Sequence, residues 1–341
     1  MRKRLLIWSI ATVMLSSCTE DDNHSFKEDG PQAIEFGQLE TRAEITSKGQ
    51  ILAFGVCAQM NLVNDNNPQP NKYVDLLTNE KVHRTDSISP WDYANKRYWV
   101  ADRTFRFLGV YPYMDGAIES ATLTQNGVSY DGYRVAFANP TTSESTEMND
   151  LMTAKNEVVL SPDQTNYNTP VTLTFNHALS KVSFKVAKDT ANKVDKVNIT
   201  SITLGGIWKT GTLCTVPGSS GYTDNWDFYG ATTTQITKSD FTDADTIPVF
   251  GAFVMSNLLL IPQTIPVNAI RLTIGYTFKY KGSQEINSLT AQTFLPVGEW
   301  KPNYVYNYTI HLAAETSDIK VATPQANIWG KQQLTGTIII Q

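Results

Sequence analysis

Cysteine is nearly absent, with three residues in 341. One of them, Cys18, closes an apolar leader, which leaves Cys57 and Cys214 far apart in the chain. Neither sits in a C-x-x-C or Cys/His spacing, and that excludes a zinc ribbon or a dithiol redox centre. An exported chain can oxidise a distant pair. These two fall in different expected domains, so two free, buried thiols are the expectation. The four histidines, His24, His83, His177 and His311, are scattered. The chain has no H-E-x-x-H, no G-x-S-x-G and no glycine-rich phosphate loop. Gly218-Ser-Ser-Gly221 misses the nucleophile-elbow spacing, so Ser219 and Ser220 read as loop residues. His177, between Phe175 and Val182, reads as structural. The expectation is a non-enzyme with no catalytic residue, no metal and no cofactor. Positive charge is also short: 28 Lys and Arg against 33 Asp and Glu give a formal net charge of −5. Such a balance argues against a nucleic-acid partner held through its phosphates. Beyond the leader, no apolar run approaches the roughly 20 residues of a membrane helix. No long stretch repeats convincingly every 3.6 residues either.

What is present begins at Met1. Arg2-Lys3-Arg4 precedes an almost wholly apolar stretch from Leu5 to Leu15, then Ser16-Ser17-Cys18. A basic start, an apolar run too short to span a bilayer and small residues before a cysteine read as a bacterial lipoprotein signal over residues 1–18. Cys18 would take the acyl groups and become the first mature residue, so contact with a membrane is expected through this lipid alone. Residues 19–32 open with Thr19-Glu20-Asp21-Asp22 and stay polar apart from Phe26, too poor in apolar surface to fold, which makes them a flexible tether. An acidic cluster beside a lipidated cysteine resembles the export signal of surface lipoproteins in the Bacteroidetes. That resemblance implies an outward-facing protein.

The mature chain reads as strand after strand. Val171, Leu173 and Phe175 alternate with polar residues, as do Val182, Phe184 and Val186. Leu272, Ile274, Tyr276, Phe278 and Tyr280 form a longer alternation, and Tyr304, Tyr306, Tyr308, Ile310 and Leu312 another. A period of two marks half-buried strands, and Val, Ile, Thr and Tyr suit a pleated surface. Strands joined by polar, Gly- or Pro-containing loops predict an all-β fold of two β-sandwich domains. Ser161-Pro-Asp-Gln-Thr-Asn-Tyr-Asn-Thr-Pro170 is the expected linker. It separates an N-terminal sandwich at 33–165 from a C-terminal one at 166–341, with long loops at Asn64 to Asn71 and Pro217 to Gly230.

Within the second long loop, Tyr222, Trp226, Phe228 and Tyr229 interleave with Asp224, Asn225 and Asp227. Aromatic rings that stack on sugar faces beside carboxylates that bind hydroxyls would make a glycan platform. Tyr222, Asp224, Trp226 and Asp227 are therefore the candidate ligand residues, while aromatics tucked into a sandwich edge are the plainer alternative. The spacing does not fix the separation of Asp224 and Asp227 in space, so a glycosidase pair finds little support. Trp91, Tyr93, Tyr98 and Trp99 carry the same ambiguity.

Phe105-Arg-Phe-Leu-Gly-Val-Tyr-Pro-Tyr113, Asp150-Leu-Met-Thr-Ala154 and Leu173-Thr-Phe-Asn-His-Ala-Leu-Ser-Lys-Val-Ser-Phe184 stand in order along the chain. Leu259-Leu-Ile-Pro-Gln263 and Trp300-Lys-Pro-Asn-Tyr-Val-Tyr-Asn-Tyr-Thr-Ile310 follow them. Together these segments resemble the fimbrillin-like proteins of Bacteroides and its relatives. The resemblance implies two tandem transthyretin-like β-sandwiches and a role as a subunit of a type V pilus. It also implies a precursor that travels as an outer membrane lipoprotein to the cell surface. There a trypsin-like surface protease would cut after an arginine and remove the lipid with the first strand, leaving a groove for a strand of another pilin subunit. Here Ala33-Ile-Glu-Phe-Gly-Gln-Leu39 stands just before Arg42-Ala43, so the expected cut lies between those two residues, with Lys48 as a weaker alternative. The expected donor strand is Leu334 to Gln341, with Leu334, Ile338 and Ile340 as the plugs. A last strand of the chain's own sandwich is the other reading of that run. The runner-up function is a surface lipoprotein that does not polymerise, either a pilus anchor or an adhesin for host or bacterial glycans and other surface ligands. Asp86-Ser87-Ile88, Asp189-Thr190-Ala191 and Asp245-Thr246-Ile247 resemble the O-glycosylation acceptor of Bacteroidetes proteins.

Overall fold

The computed structural model describes residues 31–37, 39–41, 51–62, 72–140, 150–161, 167–188, 193–242, 247–248, 251–313 and 318–329. Among these residues every regular element is a β-strand. The first seven are β1 (Glu40–Thr41), β2 (Ala53–Asn61), β3 (Tyr73–His83), β4 (Thr104–Tyr111), β5 (Ile118–Gln125), β6 (Val128–Ala138) and β7 (Met152–Val159). Next come β8 (Thr174–His177), β9 (Ser180–Lys188), β10 (Val194–Trp208), β11 (Thr210–Thr215), β12 (Asn225–Asp227) and β13 (Thr233–Lys238). The last are β14 (Ala252–Leu260), β15 (Gln263–Ile265), β16 (Arg271–Tyr280), β17 (Asn287–Phe294), β18 (Gly298–Trp300), β19 (Tyr304–Ala313), β20 (Asp318–Val321) and β21 (Gln325–Ile328).

The strands build two β-sandwiches in tandem, as the alternating patterns predict. In the first, a six-stranded sheet ordered β1-β8-β7-β4-β2-β3 packs on a four-stranded sheet ordered β12-β11-β6-β5. In the second, β13-β10-β16-β17 packs on β14-β9-β19-β20, with β21 also paired to β19. The long alternation at 271–280 is β16 itself, and Leu272, Ile274, Tyr276 and Phe278 are its buried face. They meet Val182, Phe184 and Val186 of β9 and Tyr306, Tyr308, Ile310 and Leu312 of β19 in one core.

The sheets do not divide at residue 165. Strand β8 completes the first sandwich by pairing with β7, and β11 pairs with β6 from Thr210↔Ala138 to Thr215↔Tyr133. The chain crosses between sandwiches at Lys209, between β10 and β11. There the Asn139 amide N–H donates to the Lys209 carbonyl at 2.9 Å. Alternation reports which face of a strand is buried but not which sheet the strand joins, and this is why a boundary drawn from sequence misses the exchange. For the same reason Cys57 on β2 and Cys214 on β11 lie in facing sheets of one sandwich, not in different domains. Both are free and buried.

Strands β2 and β4 are central and covered on both faces, so they read as continuous buried runs. On one face Cys57, Leu108 and Val110 meet Tyr133, Val135 and Leu213 of the second sheet. On the other face, among the described residues, Phe54, Val56, Phe105 and Phe107 meet no second sheet. Residues 33–37, 91–99 and 167–173 cover them instead.

Candidate functional site

The covered face of β2, β4 and β8 is an apolar groove, and Ile34 and Phe36 from residues 33–37 fill it. Extended backbone places every second side chain on one side, so Ile34 and Phe36 both point inward and are 0% and 6% exposed. The Phe36 ring stands edge-on to Phe54, Tyr93 and Phe107, with centroids 6.1, 5.6 and 6.3 Å away. Edge-to-face contacts of this kind add about 0.5–1.5 kcal/mol each beyond the buried area. Gly109 makes room on the groove floor, because a Cβ there would meet Phe175 Cζ at 2.9 Å and Leu173 Cδ1 at 3.0 Å. Trp99 extends the aromatic lining with edge contacts to Phe105 at 4.8 Å and Tyr167 at 4.8 Å. The expected linker thus ends as a wall of the groove.

The segment hangs on few backbone bonds. Ile34 N–H donates to the Arg97 carbonyl at 2.8 Å, and Trp99 N–H donates to Gln32 at 3.0 Å. Gly37 N–H donates to the Val171 carbonyl at 2.9 Å, and Val171 N–H donates to Glu35 at 2.7 Å. The Tyr93 hydroxyl donates to the Ile34 carbonyl at 2.8 Å. Burial raises that phenol's pKa above its ordinary value. Strand β1 then runs parallel to β8, with Glu40↔Thr174 and Thr41↔Phe175, as the outermost strand of its sheet. An outermost strand has one ladder to break, against two for a central strand.

Comparison with known proteins fits this architecture. Residues 41–329 match the family described as fimbrillin-like. The chain belongs to that family. A fimbrial protein from Bacteroides vulgatus ATCC 8482 shares the fold at 19% identity and a TM-score of 0.57, with 87% of this chain and 99% of that one covered. A candidate cell adhesion protein from Bacteroides ovatus ATCC 8483 is similar at 14% identity and a TM-score of 0.50, covering 88% and 98% of the two chains. A fimbrilin from Porphyromonas gingivalis W83 aligns at 11% identity with a TM-score of 0.42, covering 88% and 97%. No curated protein matches the sequence.

Within this fimbrillin-like chain, several residues singled out from the sequence lie outside the described residues. They are Cys18, Arg42, Ala43, Lys48, Leu334, Ile338 and Ile340, together with Asp189-Thr190-Ala191 and Asp245-Thr246. Thr41, the residue before Arg42, is the last of β1. Ser87 and its neighbours form an exposed bend in which Asp86 Oδ1 accepts from Ile88 N–H at 3.0 Å and Ser89 N–H at 2.7 Å. Hydrogen bonds from Ser89 and from these amides hold the Asp86 carboxyl below its ordinary pKa.

The aromatic loop is only partly open. Tyr222 is buried against Tyr130, and its hydroxyl donates to Asn225 Oδ1 at 3.2 Å. Asp224 pairs with Lys155 at 2.7 Å, and Asp227 lies 3.6 Å from Arg134. Trp226 packs toward Phe137 at 6.3 Å, and Phe228 stacks on Trp208 at 4.9 Å. The ring left in solvent is Tyr229, which is 98% exposed. It borders a shallow cavity of about 330 Å³ with Ala136, Thr212 and Asp227. In the other aromatic group, Tyr93 and Trp99 line the groove, Trp91 packs on Phe54 at 4.9 Å, and Tyr98 is half in solvent. Phe54, Phe107 and Val171 are groove residues that sequence reasoning missed. The short alternation in Phe105-Arg-Phe107 signals a strand, but nothing local signals its cover.

Proposed function

We propose that the chain is a structural subunit of a surface fimbria, exported as a lipoprotein through Cys18, cut after Arg42 and polymerised by strand exchange. The observation that carries this reading is the placement of residues 33–41. Ile34 and Phe36 lie in an aromatic groove, β1 follows as the outermost strand of its sheet, and both stand directly between the tether and the expected cut. Loss of that strand would uncover Phe54, Tyr93, Phe107 and Phe175, a surface that water solvates poorly. A foreign strand could then regain the same backbone bonds and pockets. Its donor would be Leu334 to Gln341 of another subunit, and such head-to-tail contacts build filaments when they do not close a ring. The partners on this reading are copies of the chain or related pilins and a trypsin-like surface protease. The location is the outer membrane surface and then the fimbria.

Treatment of the mature protein with an arginine-specific protease tests the proposal. A new N-terminus at Ala43 and a ladder on unboiled gels, lost on deleting Leu334 to Gln341, are the expected results. Resistance at Arg42 with a persistent monomer would refute it. One observation favours the alternative of a non-polymerising anchor or glycan-binding adhesin, namely the exposed Tyr229 beside its cavity. On that reading Tyr229→Ala abolishes glycan binding, and trimming the last eight residues leaves it intact.

A further inference from the structure

We infer that the groove, once residues 33–41 have left, is occupied first by the same chain's own C-terminal arm, residues 330–341, running antiparallel to β8. This inference rests on the strand-removal reading above and adds a self-capped state before any filament forms.

The argument starts from where the arm begins. Trp329, the last described residue, is buried at the end of β8, and its indole stacks on His177 with centroids 3.4 Å apart and planes 4° from parallel. His177 is itself held by Asp150 at 2.7 Å through Nδ1. The Trp329 N–H donates to the Asn303 carbonyl at 2.8 Å, and Asn303 N–H donates to Leu179 at 2.9 Å. The root of the arm is therefore fixed at the C-terminal end of β8.

The mouth of the groove is at the same place. Strand β1 has its last partner on β8 at Thr41↔Phe175, two residues before His177. A chain entering from Trp329 would meet β8 at His177 and proceed toward Val171, opposite in direction to β1. The resulting pair is antiparallel, the slightly more stable arrangement per residue.

Length and pattern both suffice. The outgoing segment spans residues 33–41, nine positions or about 30 Å of strand. Twelve residues, 330–341, reach about 40 Å when extended. Gly330-Lys-Gln-Gln333 can serve as the connector, leaving Leu334 to Gln341 for the groove. A period of two puts Leu334, Ile338 and Ile340 on one face, and the last two match the inward places of Phe36 and Ile34. No charged residue follows Lys331.

Proximity decides between the chain's own groove and a neighbour's. A short flexible tether gives an effective concentration on the order of millimolar. Against subunits at about 1 µM, insertion within one chain leads by roughly a thousandfold when the contacts are the same. Isoleucine also fills the Phe36 place less completely than phenylalanine, so the cap is weaker than the strand it replaces and stays exchangeable.

The test uses the detergent-solubilised mature lipoprotein carrying Tyr98→Cys and Gln341→Cys. A site-specific protease sequence inserted after Thr41 releases the strand whether or not Arg42 is the natural cut. Cys57 and Cys214 are buried, so a short bismaleimide reads the two new thiols. The expected result after cutting at about 1 µM is a monomer linked between positions 98 and 341 within one chain, absent before the cut. Deleting residues 330–333 should reduce that link at least tenfold and speed the appearance of ladders. A cut monomer without the link, or links found only between chains, overturns the inference and leaves strand exchange standing. A cut chain that retains residues 33–41 and neither links nor forms ladders overturns both.

Discussion

Phe36→Ala is the perturbation that most directly separates a detachable strand from an ordinary edge. The side chain is 6% exposed and touches three rings. Truncating a buried phenylalanine costs about 3–5 kcal/mol, the spread reflecting how far the site can collapse. Here the segment is bound along one edge and water can follow the missing ring, so the lower figure applies, about 3 kcal/mol. If residues 33–41 open as a unit of their own, this cost appears as local opening and not as a loss of global stability. At 1.4 kcal/mol per factor of ten, the opening equilibrium shifts by roughly a hundredfold. Native-state hydrogen exchange reads it at four amides, those of Ile34, Gly37 and Val171, whose bonds cross the segment boundary, and that of Trp99, which donates to Gln32 just ahead of the segment. All four should lose about two decades of protection, while the β10–β16 ladder keeps its own. Unchanged protection at the four amides would mean that Phe36 does not hold the segment. An equal loss in β10–β16 would mean that the segment does not open separately.

Three further predictions test other links. Burial pushes the Cys57 thiol up to about 12 from an ordinary 9.0; because the folded value is the raised one, its contribution to stability is intact below about pH 9 and lost between about 9 and 12. The urea midpoint should fall between about pH 8 and 10.5, less steeply in Cys57→Ala, and a thiol reagent at pH 8 should find Cys57 only after unfolding. Gly206 sits at φ +86° where the β10–β13 register shifts, and an added Cβ would collide with the Ala269 carbonyl oxygen; Gly206→Ala should cost about 1–3 kcal/mol in chemical denaturation, more than Gly116→Ala, whose added Cβ meets open space. Cys18→Ser should abolish fatty-acid labelling of the precursor and shift it from the membrane to the soluble fraction, and continued labelling would exclude lipid attachment at that residue.

The strands were legible because their cause is local. Alternation at 271–280 and 304–312 reflects one buried face, and the structure places β16 and β19 on those residues. The groove was legible in halves. Ala33-Ile-Glu-Phe36 could be read as a strand-like run ahead of Arg42, and Phe105-Arg-Phe107 stood out only as part of a segment resembling the family. Their meeting depends on a parallel pairing of β1 with β8, which lies more than 130 residues further along the chain. No short-range pattern carries that information. The aromatic loop fails for another reason. Tyr222 and Trp226 are large amphipathic rings that suit a ligand face or a sandwich edge equally, and only the partners Tyr130 and Phe137 decide between the two. Tyr229, the ring that does reach solvent, has nothing in its neighbourhood of sequence to distinguish it from Phe228.

The short stretch from Phe175 to Ser180 explains why the two sandwiches are not independent. Phe175 lies in the groove core, and His177 two residues later stacks on Trp329. Ala178 and Leu179 are buried in the cluster shared by both sandwiches, and Ser180 opens β9 in the second core. Trp329 closes the loop through Asn303, whose amide donates to Leu179. An incoming strand on β8 and an outgoing arm after Trp329 would therefore pull on the same six residues. On the strand-exchange reading, load along a filament would pass through each subunit by β8 and its stacked indole, and little of it through the sheets β5-β6 or β16-β17. The polar anchor at Asn139 sits on a separate path. Its side-chain amide donates to the Trp208 carbonyl at 2.7 Å and its oxygen accepts from Ile261 N–H at 2.9 Å, which ties the two sandwiches together without touching the groove. Tie and load would then be separable: weakening Asn139 loosens one contact between the sandwiches, and weakening Trp329 changes how firmly the arm is rooted.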